Sequence, residues 1–266
     1  AALHCGEGST LTINGSGTLN AYGGHGSAGI GSGFNETAGH LIFDGGTINA
    51  HAWRYDTVGT AAPADSVPTG FGPSNWDRTD HIYSGGAGIG AGTYGGASTI
   101  TINGGTIHAY GSAHGAGIGA SYAHSTAGTK QTGASTNTRP LVCGDITING
   151  GYITSKGYSH GAAFGGSCGT TASGCTIRVT GGTLLPTSLH TNPDFNANGT
   201  GKVYITGGSV NTKGGNKFMN GSTPGIAYDK DGKNVFMVTI NLAAEGITND
   251  AVSDWHVTIG GETYDY

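Results

Sequence analysis

A short strand-like signal followed by paired glycines returns six times along this chain, and that repetition limits the possible folds more than any other feature. The signal is apolar-x-apolar-[Asn/Asp/Thr]-Gly-Gly-x-apolar. It runs through Leu11–Gly15, Ile42–Gly46, Ile100–Gly105 and Ile146–Gly151, and in drifted form through Ile177–Gly182 and Val203–Gly208. A second signal, Ala-Gly-Ile-Gly, starts at Ala28, Ala87 and Ala116, with a variant Ala-Ala-Phe-Gly at Ala162. From Gly17, Gly105 and Gly151 to the alanine that opens the second signal the distance is 11 residues each time. Short strands joined by glycine turns at a period of 26 to 31 residues predict one solenoid rung per repeat. No rung can bury its own apolar face, so stacked rungs must share a continuous column of Ile, Val, Leu and Ala. Asn-Gly-Gly supplies the positive φ that corners need. The expected fold is all-β, a right-handed parallel β-helix of about six rungs.

Composition agrees with a folded β chain. Glycine makes up 54 of 266 residues without a collagen period, and Asp, Glu, Lys and Arg together make only 10%. The polar surface must therefore come from Asn, Ser, Thr, Gly and His. The lack of a leucine pattern excludes a leucine-rich horseshoe, and a propeller is disfavoured because its blades need four strands and roughly 40 residues. Net charge is −5 with no Lys/Arg cluster, which argues against a nucleic-acid partner. No run of 18 apolar residues exists, and no membrane insertion is expected. The opening Ala1-Ala2-Leu3-His4 reads as an internal cut in a longer precursor, part of a larger multidomain chain.

The expected division is a β-helix over residues 1–228, with insertions at about 52–83 and 121–143, and a cap or the start of a next module over 229–266. That last segment reads as a β-hairpin, pairing the alternating runs 236–242 and 255–261 across the polar stretch 245–254. Four cysteines allow three full pairings. Cys168 with Cys175, flanking a Gly/Thr/Ser loop, is the preferred disulfide. Cys143 and Cys175, each just before a strand in neighbouring turns, are the alternative, and four free thiols remain a third possibility.

The run Ala1-Ala-Leu-His-Cys-Gly-Glu-Gly-Ser-Thr-Leu-Thr-Ile13, with the Ile-Thr-Ile-Asn-Gly-Gly-Thr-Ile and Ala-Gly-Ile-Gly repeats, resembles the glycine-rich repeat modules in large secreted proteins of Gram-positive gut bacteria. Those modules are commonly labelled carbohydrate-binding domains. The resemblance spans roughly residues 1 to 215. It implies a secreted or cell-surface setting of adhesin type and a carbohydrate or host glycoprotein partner, and it carries over no particular binding residue.

Alternation past each glycine pair sorts side chains by face. Leu19, Ile48, Ile107 and Ile153 should point inward, as should Ala21, Ala50, Ala109 and Ser155. Outward come Asn20, Asn49, His108 and Thr154 in one row, and Tyr22, His51, Tyr110 and Lys156 in the next. Rings beside planar hydrogen-bonding groups suit a sugar; the alternative is that stacked Tyr and His only cover a solvated sheet face. The first insertion concentrates Trp53, Arg54, Tyr55, Asp56, Phe71, Trp76, Asp77, Arg78, Asp80 and His81. Long loops on a rigid scaffold are commonly functional. The expected ligand contacts are Trp53 or Trp76 for stacking, with Arg54, Tyr55, Asp56, Asp77 and Arg78 alongside Tyr22, His51, His108 and Tyr110.

A catalytic alternative rests on Asp56, Asp77 and Asp80, because a glycosidase needs two carboxylates about 5 to 9.5 Å apart. No carboxylate row lies on the strands, and no nucleophile elbow, phosphate loop or metalloprotease helix occurs. His25, His114 and His160 recur before the second signal, but residues stacked along rungs do not converge as metal ligands must. No metal and no cofactor is expected. The run Asp229-Lys-Asp-Gly-Lys233 lacks the closing Glu of a calcium loop and reads as a turn.

Overall fold

The computed structural model describes residues 1–24, 26–52, 85–97, 99–112, 114–121, 143–158, 161–167, 174–188 and 193–212, and near the C-terminus 218–220, 223–224, 227–229, 231–235, 256–259 and 262–265. Within residues 1–235 each repeat contributes one strand to each of three sheets. The Ile-Gly pair of the second signal, as in Ile30–Gly31 or Ile89–Gly90, forms the first sheet. The Ile-x-Ile strands, as in Ile100–Ile102, form the second. The strands after the glycine pair, as in Thr106–Tyr110, form the third. Successive rungs pair in parallel and in register, giving a parallel β-helix with six complete rungs.

Register accounts for the core. On the second sheet Leu41, Ile100, Ile146, Ile177 and Val203 stand above one another, and beside them run Phe43, Ile102, Ile148, Val179 and Ile205. On the third sheet Leu19, Ile48, Ile107, Ile153, Leu184 and Val210 form a single column. On the first, Ile30, Ile89 and Ile118 are fully buried and continue into Phe164 and Phe195, whose rings stack 5.0 Å apart. Alternation on the third sheet holds as expected, with Ala21, Ala50, Ala109 and Ser155 buried.

Glycine does two different jobs. At the corner between the second and third sheets, the second glycine of each pair takes positive φ, from +81° at Gly208 to +94° at Gly151. In the first sheet Gly31, Gly90 and Gly119 sit at φ near +130°, and a Cβ on Gly90 would stand 2.1 Å from the carbonyl oxygen of Gly119. Through the rungs of Gly31, Gly90, Gly119 and Gly165 the backbones pack too closely for a side chain at this position, whereas His4 and Asn196 take it in the rungs at either end.

The corner before the glycine pair carries a hydrogen-bonded ladder. Asn103 donates to Asp44 (2.7 Å), Asn149 donates to Asn103 (2.8 Å), and the Thr180 hydroxyl donates to Asn149 (2.8 Å). This is what the [Asn/Asp/Thr] position of the repeat is for: each amide satisfies its neighbour one rung away.

The disulfide differs from the preferred expectation. Cys143 bonds Cys175, with Cα atoms 5.6 Å apart, so the pairing of Cys168 with Cys175 is excluded. The reason is stacking: the two cysteines lie at the same corner on adjacent rungs, one register position apart, and rung spacing of about 4.8 Å falls within disulfide reach. Cys168 lies outside the described residues. Cys5 is a buried free thiol, and burial pushes its pKa up.

At the far end of this unit two sheets stop on reversed strands. Thr223–Pro224 runs antiparallel to Phe218–Asn220, and Asn234–Val235 antiparallel to Ala227–Tyr228. The Asp229–Lys233 segment is the turn of the latter hairpin: the Asp229 carboxylate accepts the N–H groups of Asp231 and Lys233. A separate unit, Phe236–Tyr266, contains a hairpin of His256–Ile259 with Glu262–Asp265. The strand observed against 256–259 is thus its immediate successor; the partner expected from sequence, 236–242, lies outside the described residues.

Candidate functional site

The third sheet presents the rows expected from alternation. Parallel register sets Tyr22 beside His51, His51 beside Tyr110, and Tyr110 beside Lys156. The rings form one column: Tyr22 and His51 are 5.0 Å apart and 16° from parallel, His51 and Tyr110 4.4 Å and 9°. The Lys156 ammonium closes the column 5.4 Å from the Tyr110 ring. In the neighbouring row the Asn49 amide donates to Asn20 (2.7 Å), followed by His108 and Thr154 in register.

This geometry changes what the rings can do. Sequence places them outward but leaves their tilt open. The faces of His51 and Tyr110 lie against their neighbours along the helix axis, and His51 is only 7% exposed. Stacking of this kind stabilises the sheet face by roughly 0.5–1.5 kcal/mol per pair. Tyr22, at the head of the column, is 55% exposed. Beside it the Asn20–Asn49 amides and His108 supply hydrogen-bonding groups at rung spacing.

The first insertion leaves this same sheet. His51 ends the strand Thr47–His51, Ala52 is buried, and the chain is described again from Gly85 ahead of Ile89–Gly90. Trp53, Arg54, Tyr55, Asp56, Trp76, Asp77, Arg78 and Asp80 all lie outside the described residues, as do His25 and His160. His114 is buried. Among the described residues no three His, Cys, Asp or Glu side chains are grouped to hold a metal ion.

Two features escaped the sequence reading. At the corner after the first sheet, the Glu36 carboxylate accepts from His4 (2.8 Å) and from the Gly33 N–H (2.9 Å). The His4 bond above all, then the Gly33 N–H, holds the Glu36 carboxyl below its ordinary range. On the outer face of the second sheet the middle residue of Ile-x-Ile becomes Arg178, Tyr204 and Tyr228 in the last rungs. The drifted repeats Ile177-Arg-Val and Val203-Tyr-Ile carried that signal: a threonine position had turned into a cation and a ring.

Comparison with known proteins supports the architecture. A family described as Beta helix repeat matches residues 11–34, 100–122 and 146–168. Each stretch spans one passage through all three sheets. No curated protein and no solved structure matches the chain.

Proposed function

We propose that this β-helix is a non-catalytic glycan- or glycoprotein-binding module of a secreted or cell-surface protein of adhesin type, probed by ligands on the outer face of its third sheet. One observation carries the reading: exposed Tyr22 heads an ordered column beside the Asn20–Asn49 amide pair, on the sheet from which the Trp-rich insertion departs. An exposed ring next to fixed planar amides is suited to the C–H faces and hydroxyls of a sugar. The Cys143–Cys175 disulfide supports an oxidising compartment. Trp53 and Trp76 would extend the platform, with Arg54, Tyr55, Asp56, Asp77 and Arg78 as hydrogen-bonding partners.

The test is a glycan-array screen of the whole chain, with reducing-end release measured on the same glycans. A ligand should bind without being cleaved, and Tyr22→Ala together with Trp53→Ala or Trp76→Ala should weaken it about tenfold or more, as hot-spot aromatics do. Tyr122→Ala, in the second insertion, should leave it unchanged. Cleavage lost in Asp56→Asn, Asp77→Asn or Asp80→Asn would replace this reading with a β-helix glycoside hydrolase or polysaccharide lyase. A folded protein that binds no glycan would leave a structural stalk.

A further inference from the structure

A different face of the β-helix holds a second arrangement, of cations set over rings. On the second sheet, the Arg178 guanidinium lies 4.7 Å from the Tyr204 ring centroid, and the Lys202 ammonium lies 5.4 Å from that of Tyr228. Register sets Arg178, Tyr204 and Tyr228 in one outward column over three consecutive rungs. Among the described residues neither cation has an ion pair or a hydrogen bond to a side chain. This occurs in a chain with 16 acids against 11 Lys and Arg, where a nearby carboxylate is the more expected companion.

Two acids that adjoin these strands, Asp145 and Asp229, accept backbone N–H groups. The Asp145 carboxylate accepts the Thr176 N–H (2.7 Å), and that of Asp229 accepts two N–H groups of its own turn. The two tyrosines are 6.2 Å apart and 48° from parallel, so they do not close on each other as Tyr22, His51 and Tyr110 do. Arg178 and Lys202 are exposed, on strands paired on both sides, so their backbone positions are fixed.

We propose that this face, from Arg178 to Tyr228, binds an acidic oligosaccharide. Its carboxylate or sulfate sits on the Arg178 fork and the Lys202 ammonium, and its sugar rings lie against Tyr204 and Tyr228. A guanidinium stacked on a ring keeps its N–H edge free for a bidentate anion contact, and the ring limits its rotamers before binding. Arg178 and Lys202 lie on successive rungs, each with its tyrosine on the rung that follows, and this repeat of charge and ring at about 4.8 Å matches a linear polymer of charged sugars laid along the axis. A polynucleotide would call for a wider basic field than two cations on a chain of net charge −5. This site does not depend on the third sheet.

The experiment is titration calorimetry of the whole chain with oligogalacturonate, a heparin-derived oligosaccharide and a neutral β-glucan oligomer of matched length. Oligoaspartate and a single-stranded oligonucleotide serve as charge controls. At least one acidic saccharide should bind, and whether it is the carboxylated or the sulfated one identifies the anion. Arg178→Gln with Lys202→Gln should weaken it tenfold or more, and Tyr204→Ala should also weaken it. Arg178→Lys, which keeps charge but loses the fork, should fall between. Tyr22→Ala should have no effect, which separates this face from the other. The proposal is overturned if no acidic saccharide binds the folded parent or if the double variant binds as well as the parent. Equal binding of oligoaspartate or the oligonucleotide overturns it too, because charge alone would then suffice.

Discussion

The first and third sheets share the six complete rungs, yet their inner rungs tolerate change in opposite ways. In the first, strands of two residues are buried on both sides, and Gly31, Gly90 and Gly119 repeat because a Cβ would strike the next rung's backbone. In the third, five- and six-residue strands bury one face and expose the other. There the buried column stays Leu, Ile or Val, while the outer row runs Tyr22, His51, Tyr110 and Lys156. Strict repetition therefore marks where backbone packs on backbone, and variation marks where side chains meet solvent or a ligand.

The contrast breaks most visibly at Gly90. Gly90→Ala adds a Cβ 2.1 Å from a carbonyl oxygen at φ +129°, and should cost at least about 3 kcal/mol in denaturant unfolding. A loss under 1 kcal/mol would mean the wall can spread. Next in size is the corner that joins the first sheet to the second. Replacing Cys143 and Cys175 together by alanine removes a cross-link over 32 residues, worth about 3–4 kcal/mol by loop entropy. Calorimetry should show the melting point fall accordingly, and an unchanged one would show that stacking alone holds these rungs.

A smaller effect is expected at the amide ladder. Asn149→Ala removes one donor and one acceptor from an exposed corner and should cost about 1 kcal/mol. The first-sheet side has a pH-dependent counterpart in Glu36. Its carboxyl titrates below its usual value of 4.5, so its contribution is complete above that pH and is lost as pH falls through the lowered folded value. Because the group is exposed, the effect is slight. Glu36→Gln should flatten the acid limb of the stability profile below pH 4.5 and leave stability at neutral pH nearly unchanged.

Much of the fold could be read directly from spacing. The 11-residue offset and the two-residue alternation set the rungs, the buried columns and the outward placement of Tyr22, His51, Tyr110 and Lys156. Three things lay beyond that reach. Alternation tells which side a ring is on but not its χ angles, so it could not show that His51 is sandwiched. Chain proximity favoured Cys168 for Cys175, whereas rung stacking brings a cysteine 32 residues earlier to bonding distance. Drift in the last repeats looked like loss of pattern, but Arg178, Tyr204 and Tyr228 occupy the same outward register as Thr101 and Thr147.

The Cys143–Cys175 bond also sets a mechanical property. A solenoid pulled by its ends gives way rung by rung, each releasing its contour length. Between these two cysteines tension passes through sulfur and not through the backbone. The 32-residue span cannot be drawn out, and about 110 Å of extension is withheld until the bond is reduced. Under load the chain therefore behaves as two extensible segments separated by a rung that cannot lengthen.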